Sequence, residues 1–242
     1  MKTSNNKKQF CVYCNLELSS LNDTRDHVFP KNLFTRPYPD NLLTVPACLK
    51  CNGDFSPYEE YFKHISTLDE NIYQKNEFKS LGESSVYTLK KHTKFYKRII
   101  EDIQPIDLVT PNNIFLGRRM GIEVNSAKVD IVIKKIIKGL VYIHSRKILD
   151  DQFYKLGAVD YLNFKNYNEV FHKICPHIMD SHISLKIHTL GNVAKYRYKF
   201  YDNHFFHSTW SIHIYDYFYY IGIVFNNKAL DELKDSEEVP II

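Results

Sequence analysis

The sequence predicts an α+β fold in which a small cysteine-rich module precedes a helical segment and then a helix packed on an antiparallel sheet. Residues 1–62 hold paired cysteines among many turn-forming residues, which is typical of a module stapled by a metal ion. Apolar residues from Val129 to Ile143 recur at helical spacing. From about residue 182 onward, the apolar spacing changes to the period of a half-buried strand.

These changes of pattern divide the 242 residues into three predicted parts. Residues 1–62 form the cysteine-rich module, residues 63–105 a helical connector, and residues 106–242 a C-terminal α+β domain whose role the sequence does not indicate. Hydrophobic residues make up 44% of the chain, which is enough for a sizeable core and excludes a disordered chain.

The expected elements follow in order along the chain. Four prolines between Pro30 and Pro46 argue against a long helix there, whereas residues 57–104 are predicted to be mostly helical. Ile106–Val124 is predicted to be loop and strand. Asn125 is then expected to cap a helix, because a short polar side chain can accept a hydrogen bond from the first helical turn.

That helix carries one apolar stripe, formed by Val129, Ile133, Ile136, Leu140 and Ile143. Lys128, Lys135 and Lys138 are expected to lie away from it. The later strands are predicted from alternating patterns at Lys195–Phe200 and Trp210–Ile214, from the nearly all-apolar run Tyr217–Phe225, and from a turn at Asp202–Asn203.

The charge and hydropathy of the chain limit the classes of partner that it is expected to bind. A net charge of +4 permits a phosphate-bearing partner without indicating one. The most apolar helix, Val129–Ile143, is too short and too charged to span a bilayer, and no apolar segment follows the N-terminal lysines. We therefore expect a cytoplasmic protein without a membrane partner, whose paired cysteines are metal ligands rather than disulfides.

Two identical cysteine pairs predict a structural zinc site. Cys11 and Cys14 form one C-x-x-C pair, and Cys48 and Cys51 form the other. Each such turn delivers two thiolates to one metal, so two turns complete a tetrahedral Zn²⁺ site. The alternative is a chance pairing of buried cysteines. Cys175 stands apart and is expected to be a small core residue.

Polar residues between the two cysteine pairs, and one directly after the second pair, suggest hydrolytic chemistry. Asp26 and His27 are adjacent, Asn41 follows, and Asn52 comes directly after the second pair. Phosphodiester hydrolysis needs a base for water and a hard cation on the phosphate. The imidazole of His27 suits the base, and the oxygens of Asp26 and Asn52 suit Mg²⁺ or Mn²⁺.

Taken together, these motifs resemble the HNH, or ββα-metal, endonuclease family in its four-cysteine, zinc-stabilised form. The resemblance covers about a fifth of the chain and implies a ββα-metal core. It implies that His27 is the general base, that Asp26 and Asn52 hold a catalytic Mg²⁺ or Mn²⁺, and that Asn41 orients the loop bearing the base. Double-stranded DNA is the substrate that the resemblance favours.

Several alternatives stay open at the level of sequence. Asp26 and His27 can be a solvent-facing pair without a role, and Asn41 can simply form an Asx turn. The third metal ligand is open, because Ser56 is a poor ligand and Asp54, Glu60 or water would have to replace it.

The rival function is a non-catalytic zinc-binding adapter that contacts nucleic acid or protein. The sequence does not separate DNA from RNA. It also leaves open a protein partner or a homo-oligomer formed through the C-terminal domain.

The basic strand face of Lys195, Arg197 and Lys199 either follows a phosphate backbone or is simply solvated.

Overall fold

The computed structural model describes residues 8–101, 103–110, 112–160, 186–201 and 206–227. Cys175 and the expected turn at Asp202–Asn203 lie outside these residues. The α+β class is confirmed, since the described residues form helices, two separate two-stranded sheets and one antiparallel five-stranded sheet.

The N-terminal module is a two-stranded antiparallel sheet followed by a helix. Strand β1 (Asp23–His27) pairs with β2 (Thr44–Cys48), and helix α1 (Leu49–Thr67) begins directly after β2. The proline-containing segment between the strands holds only a short 3-10 turn at Lys31–Leu33, as its composition predicted.

The middle of the chain is helical, as expected, and ends in a hairpin. Helices α2 (Glu70–Tyr73), α3 (Lys79–Lys91) and α4 (Thr93–Glu101) follow α1. Strands β3 (Ile103–Val109) and β4 (Phe115–Ile122) then pair with each other in a sheet of their own.

A long helix and the five-stranded sheet complete the fold. Helix α5 spans Ser126–Ser145, and the side chain of Asn125 accepts a hydrogen bond from the Lys128 amide, which confirms the predicted cap. The sheet has the strand order β5-β9-β8-β7-β6. Its strands are β5 (Tyr154–Asp160), β6 (His188–Leu190), β7 (Ala194–Phe200), β8 (Phe206–Ile214) and β9 (Phe218–Asn226).

Helix α5 is covered on two sides, so it buries more than the single stripe that its spacing predicted. A Cβ at Gly139 would lie 2.9 Å from the side chain of Val28, and a Cβ at Gly222 of β9 would overlap Ile137. The helix is therefore held closely between the segment after β1 and the large sheet. Lys135 lies away from the apolar stripe, but it does not reach solvent, because the N-terminal module covers that side of the helix and leaves Lys135 1% exposed.

One buried cluster joins the N-terminal module to the C-terminal sheet. Phe29 and Val45 of the module, Ile136 of α5 and Trp210 of β8 all belong to it. The boundaries at residues 62 and 105 stay a prediction, but the parts that they separate share this cluster. No helix among the described residues combines the length and the apolar character that crossing a membrane requires.

Candidate functional site

The four N-terminal cysteines come from two tight turns that face each other. In the first turn, the Asn15 amide donates to the Cys11 carbonyl (2.9 Å) and Asn15 takes a positive φ of 58°. In the second, the Cys48 sulfur caps α1 by accepting a hydrogen bond from the Cys51 amide. The Val12 amide donates to the Pro46 carbonyl (3.0 Å), which ties the first turn to β2.

The sulfur atoms of these cysteines match the geometry of a tetrahedral zinc site. All four Sγ atoms lie within 4.8 Å of one another, and those of Cys14 and Cys48 are 3.8 Å apart. Zinc–sulfur bonds of about 2.3 Å give a tetrahedral edge of about 3.8 Å. Burial raises the pKa of the Cys51 thiol, and the neighbouring cysteines add to the shift. A Zn²⁺ ion supplies the positive charge that such crowded thiolates need, so the donor set fits zinc.

Asp26 lies in a buried, polar environment at the end of β1. Its side chain is 7% exposed, and its Oδ2 atom accepts a hydrogen bond from the Tyr13 hydroxyl (2.8 Å). The same Oδ2 atom forms an ion pair with Lys135 Nζ at 2.8 Å. Neither contact uses Oδ1. The carboxylate is therefore held in one orientation through one of its two oxygens.

Lys135 connects three chain segments through its ammonium group. Besides Asp26, the group pairs with Glu59 of α1 and donates to the backbone carbonyl of His27 (2.7 Å). The rings of Tyr13 and Phe55 lie 5.9 Å from Nζ. Burial raises the pKa of Glu59, and the ammonium group opposes that shift. The two carboxylates and one ammonium carry a net charge of −1 when all are ionised.

His27 is half-buried and stands beside two cations. Burial lowers the pKa of His27 from its usual value, and nearby Lys31 adds to the shift while Asp26 opposes it. Arg25, two residues before His27 and on the same face of β1, donates from its guanidinium to the hydroxyl of Thr44 (2.9 Å), the cross-strand partner of His27. The imidazole is therefore neutral near pH 7 and able to accept a proton.

Asn52 lies in the first turn of α1, next to β1. Its Nδ2 atom donates to the Thr24 hydroxyl at 3.2 Å. Thr24 and Asp26 are two residues apart on one strand, so their side chains share a face, and that face is toward α1. Asn52 and Asp26 thus stand on the same side of β1, and Asn52, like Asp26, has an Oδ1 atom that takes no part in the hydrogen bond described.

Asn41 contacts the C-terminal sheet. Its Nδ2 atom donates to the Thr189 carbonyl of β6 at 2.7 Å. A backbone turn is present at this position, with the Leu42 amide donating to the Pro39 carbonyl. The predicted role of Asn41 in orienting the loop that bears His27 stays a prediction.

The residues considered as a third metal ligand face other partners. Asp54 pairs with Lys50 at 2.7 Å, and Glu60 lies 3.8 Å from His64. Ser56 is exposed on the outer side of α1. Glu59, which was not among these candidates, is the carboxylate that shares Lys135 with Asp26.

The basic face of β7 is partly neutralised. Lys195 pairs with Asp216 at 2.6 Å, and Lys199 lies 5.2 Å from the centre of the Tyr201 ring. A role for this face in binding phosphate stays a prediction.

Sequence reasoning missed Tyr13, Glu59 and Lys135, which surround Asp26. The sequence does contain an indication that Lys135 is buried. Val132 and Gly139 lie one helical turn before and after it, so Lys135 stands within a second apolar face of the helix. Tyr13 stands inside the first cysteine turn and has no local pattern that points to Asp26.

No protein-family model, curated protein or solved structure matches this chain.

The zinc site gives a first prediction. Purified protein should contain about one Zn²⁺ per chain by elemental analysis, and Cys48→Ser should lose it, because this sulfur both meets the other thiolates and caps α1. Removing the metal should unfold the N-terminal module, which circular dichroism would detect. Normal folding of zinc-free protein would contradict the assignment.

The buried ammonium gives a second prediction. Lys135→Met should lower the free energy of unfolding by about 3–5 kcal/mol, because it leaves buried carboxylates unpaired. The matched control is Lys134→Met on the same helix, which breaks the more exposed pair with Asp130 and should cost about 0–1 kcal/mol. Urea titration measures both variants.

Adding Glu59→Gln to Lys135→Met should recover part of the loss, since one unpaired carboxylate is removed. Equal stability of the two single lysine variants would contradict the structural role of Lys135.

Proposed function

We propose that the chain is a metal-dependent nuclease of the HNH type, which hydrolyses phosphodiester bonds with double-stranded DNA as its substrate. The observation that carries the proposal is the setting of Asp26 and His27. They are adjacent at the end of β1, and α1 brings Asn52 to the same side of the strand as Asp26. The cysteine cluster fixes the start of that helix.

The state of His27 supports its role as general base. A lowered pKa keeps the imidazole unprotonated at neutral pH, and half-burial leaves part of the ring open to solvent. The hydrogen bond from Lys135 to the His27 carbonyl fixes the backbone that carries the ring. A fixed, neutral imidazole is suited to taking a proton from an attacking water.

The oxygens of Asp26 and Asn52 fit a hard divalent cation. Tyr13 and Lys135 hold Asp26 through Oδ2, and Thr24 holds Asn52 through its amide nitrogen. The Oδ1 atoms of Asp26 and Asn52 are therefore the atoms that would bind the cation. Hydrogen-bonded outer partners of this kind orient metal-binding carboxylates. A bound Mg²⁺ or Mn²⁺ would neutralise charge on the phosphate and the leaving oxygen.

The cations around His27 suit an anionic substrate. Lys31 acts electrostatically on His27, Arg25 shares its face of β1, and both cations are exposed. Together they form a positive rim around the base, on which a phosphate group can be held. Side chains of this type bind DNA and RNA backbones alike, so the choice of double-stranded DNA rests on the family resemblance.

A zinc-binding adapter without catalytic activity is the second candidate function. The Lys135 ammonium favours it, because Asp26 already has a cationic partner at 2.8 Å. In an adapter, Asp26 would serve only to anchor α5 to the module, and His27 would be a surface residue. Cleavage assays separate the two functions.

The base gives a third prediction. His27→Ala should reduce cleavage of plasmid and linear DNA by at least about 100-fold while it keeps zinc content and substrate affinity, because only proton transfer is removed. The matched control is His213→Ala in the large sheet, which should cleave like wild type. Gel assays with plasmid, linear DNA and RNA measure the loss and identify the substrate. Wild-type rates for His27→Ala would remove His27 from the mechanism.

The metal ligands give a fourth prediction, which separates nuclease from adapter. Activity should require Mg²⁺ or Mn²⁺ and vanish in a chelator too mild to extract the zinc. Asp26→Asn should lose most activity, because it removes the charged ligand and keeps the side-chain shape. Asn52→Ala should also lose much of it, while Asn52→Asp should retain some.

The control for this series is Asp54→Ala, which changes a carboxylate on the outer side of α1 that pairs with Lys50. It should leave cleavage unchanged. Zinc content and circular dichroism should match wild type in every variant. A folded wild-type protein that binds DNA but cuts neither DNA nor RNA with either cation would favour the adapter.

A further inference from the structure

The loop between β1 and β2 carries two exposed cations that extend outward from His27. Lys31 lies close enough to His27 for its charge to lower the pKa of the imidazole. Its Nζ atom is 4.5 Å from the centre of the Tyr38 ring, and the guanidinium of Arg36 is 5.6 Å from the same centre. Lys31 and Arg36 are both exposed. Positive charge therefore continues along the surface from the candidate base to Arg36.

Neither of these two cations pairs with a carboxylate in the part of the chain that the structure describes. Lys50, Lys138 and Lys195, by contrast, each pair with an aspartate at 2.6–2.8 Å. Asp40 is the one acidic residue of the loop, and among the described residues it forms an ion pair with neither cation. The charge of the loop is therefore left for an anionic ligand to neutralise.

Tyr38 orders both cations before any ligand binds. Its half-buried ring packs against the buried cluster, and its hydroxyl accepts a long hydrogen bond (3.4 Å) from Nε of Arg36. That hydrogen bond lowers the pKa of Tyr38 from its usual value. A guanidinium that lies against an aromatic ring can still donate N–H groups to a phosphate. Because the ring already restrains the two long side chains, less conformational entropy is lost when a ligand binds them.

The C-terminal sheet holds this loop on both sides of Arg36. Before it, the backbone carbonyl of Leu33 accepts a hydrogen bond (2.9 Å) from the buried hydroxyl of Tyr215, which lies in the turn between β8 and β9. After it, Pro39 packs so closely on Gly191, between β6 and β7, that a Cβ at Gly191 would lie 2.9 Å from the proline ring. The sheet thus fixes the position of a charged loop beside His27.

We propose that Lys31, Arg36 and Tyr38 form a binding surface for the nucleic-acid backbone next to the scissile phosphate, on a loop that the C-terminal sheet holds in place. Lys31 and Arg36 donate to phosphate oxygens, and Tyr38 positions them. Arg36 adds a contact further along the strand than the rim around His27. Phosphate contacts carry no base information, so this surface favours no base sequence. The inference rests on the proposed nucleic-acid substrate, and it does not depend on cleavage of that substrate.

Fluorescence anisotropy tests the proposal on the zinc-loaded full chain, with a short labelled DNA duplex and no added Mg²⁺ or Mn²⁺, so that binding is measured without cleavage. Lys31→Gln and Arg36→Gln should each reduce the slope of log affinity against log salt concentration by about 0.9, because each loses one phosphate contact. Tyr38→Leu should keep the slope and weaken binding by about two- to fivefold, because it removes the ring that orders both cations. Tyr38→Phe retains the ring and should recover most of that loss.

The matched control is Lys91→Gln, which removes an exposed cation that also lies 4.5 Å from a tyrosine ring, that of Tyr87 on α3. It should bind with the wild-type slope, and every variant should keep its zinc. Wild-type slopes in both loop variants, or an equal drop in Lys91→Gln, would overturn the proposal. So would a wild-type protein that binds neither the duplex nor an RNA of the same sequence. A protein that shows the expected slopes but cuts neither DNA nor RNA would support this surface and contradict only the nuclease activity.

Discussion

Lys135 brings a positive charge into the interior at the point where β1, α1 and α5 meet. An unpaired ammonium there would cost several kcal/mol, so the three segments must keep Asp26, Glu59 and the His27 carbonyl around it. The same contacts fix the orientation of Asp26 and the backbone of His27. The geometry of the candidate site therefore depends on a residue that lies far along the chain, in the C-terminal part.

This dependence explains why the cysteine-rich module and the large sheet share one core. The cysteine turns fix the start of α1, but the apolar side chains of the hairpin between them, such as Val28 and Val45, need a second layer to cover them. Helix α5 supplies the missing layer, and Gly139 allows it to approach Val28 closely enough to place Lys135 beside Asp26. Stripping the metal and removing the ammonium should thus disturb the same site from opposite sides.

Local patterns predicted the elements well, because cysteine turns, caps and periodic spacing depend on neighbouring residues. The doubled C-x-x-C motif led to the cysteine cluster, and Asn125 led to the start of α5. Contacts between distant segments could not be predicted in this way. The bond from Asn41 to Thr189 joins residues 148 positions apart, and the burial of Lys135 follows from two layers closing on one helix.

The central claim is that Asp26 holds a divalent cation while Lys135 and Tyr13 retain its other oxygen. Anomalous diffraction at the manganese edge, from crystals grown with Mn²⁺ and a short DNA duplex, tests it directly. The account predicts a peak about 2.1–2.3 Å from Oδ1 of both Asp26 and Asn52, with Lys135 still paired to Oδ2. A structure with DNA bound at His27, saturating Mn²⁺ and no peak beside Asp26 would contradict it and leave Lys135 as the permanent cation of an adapter.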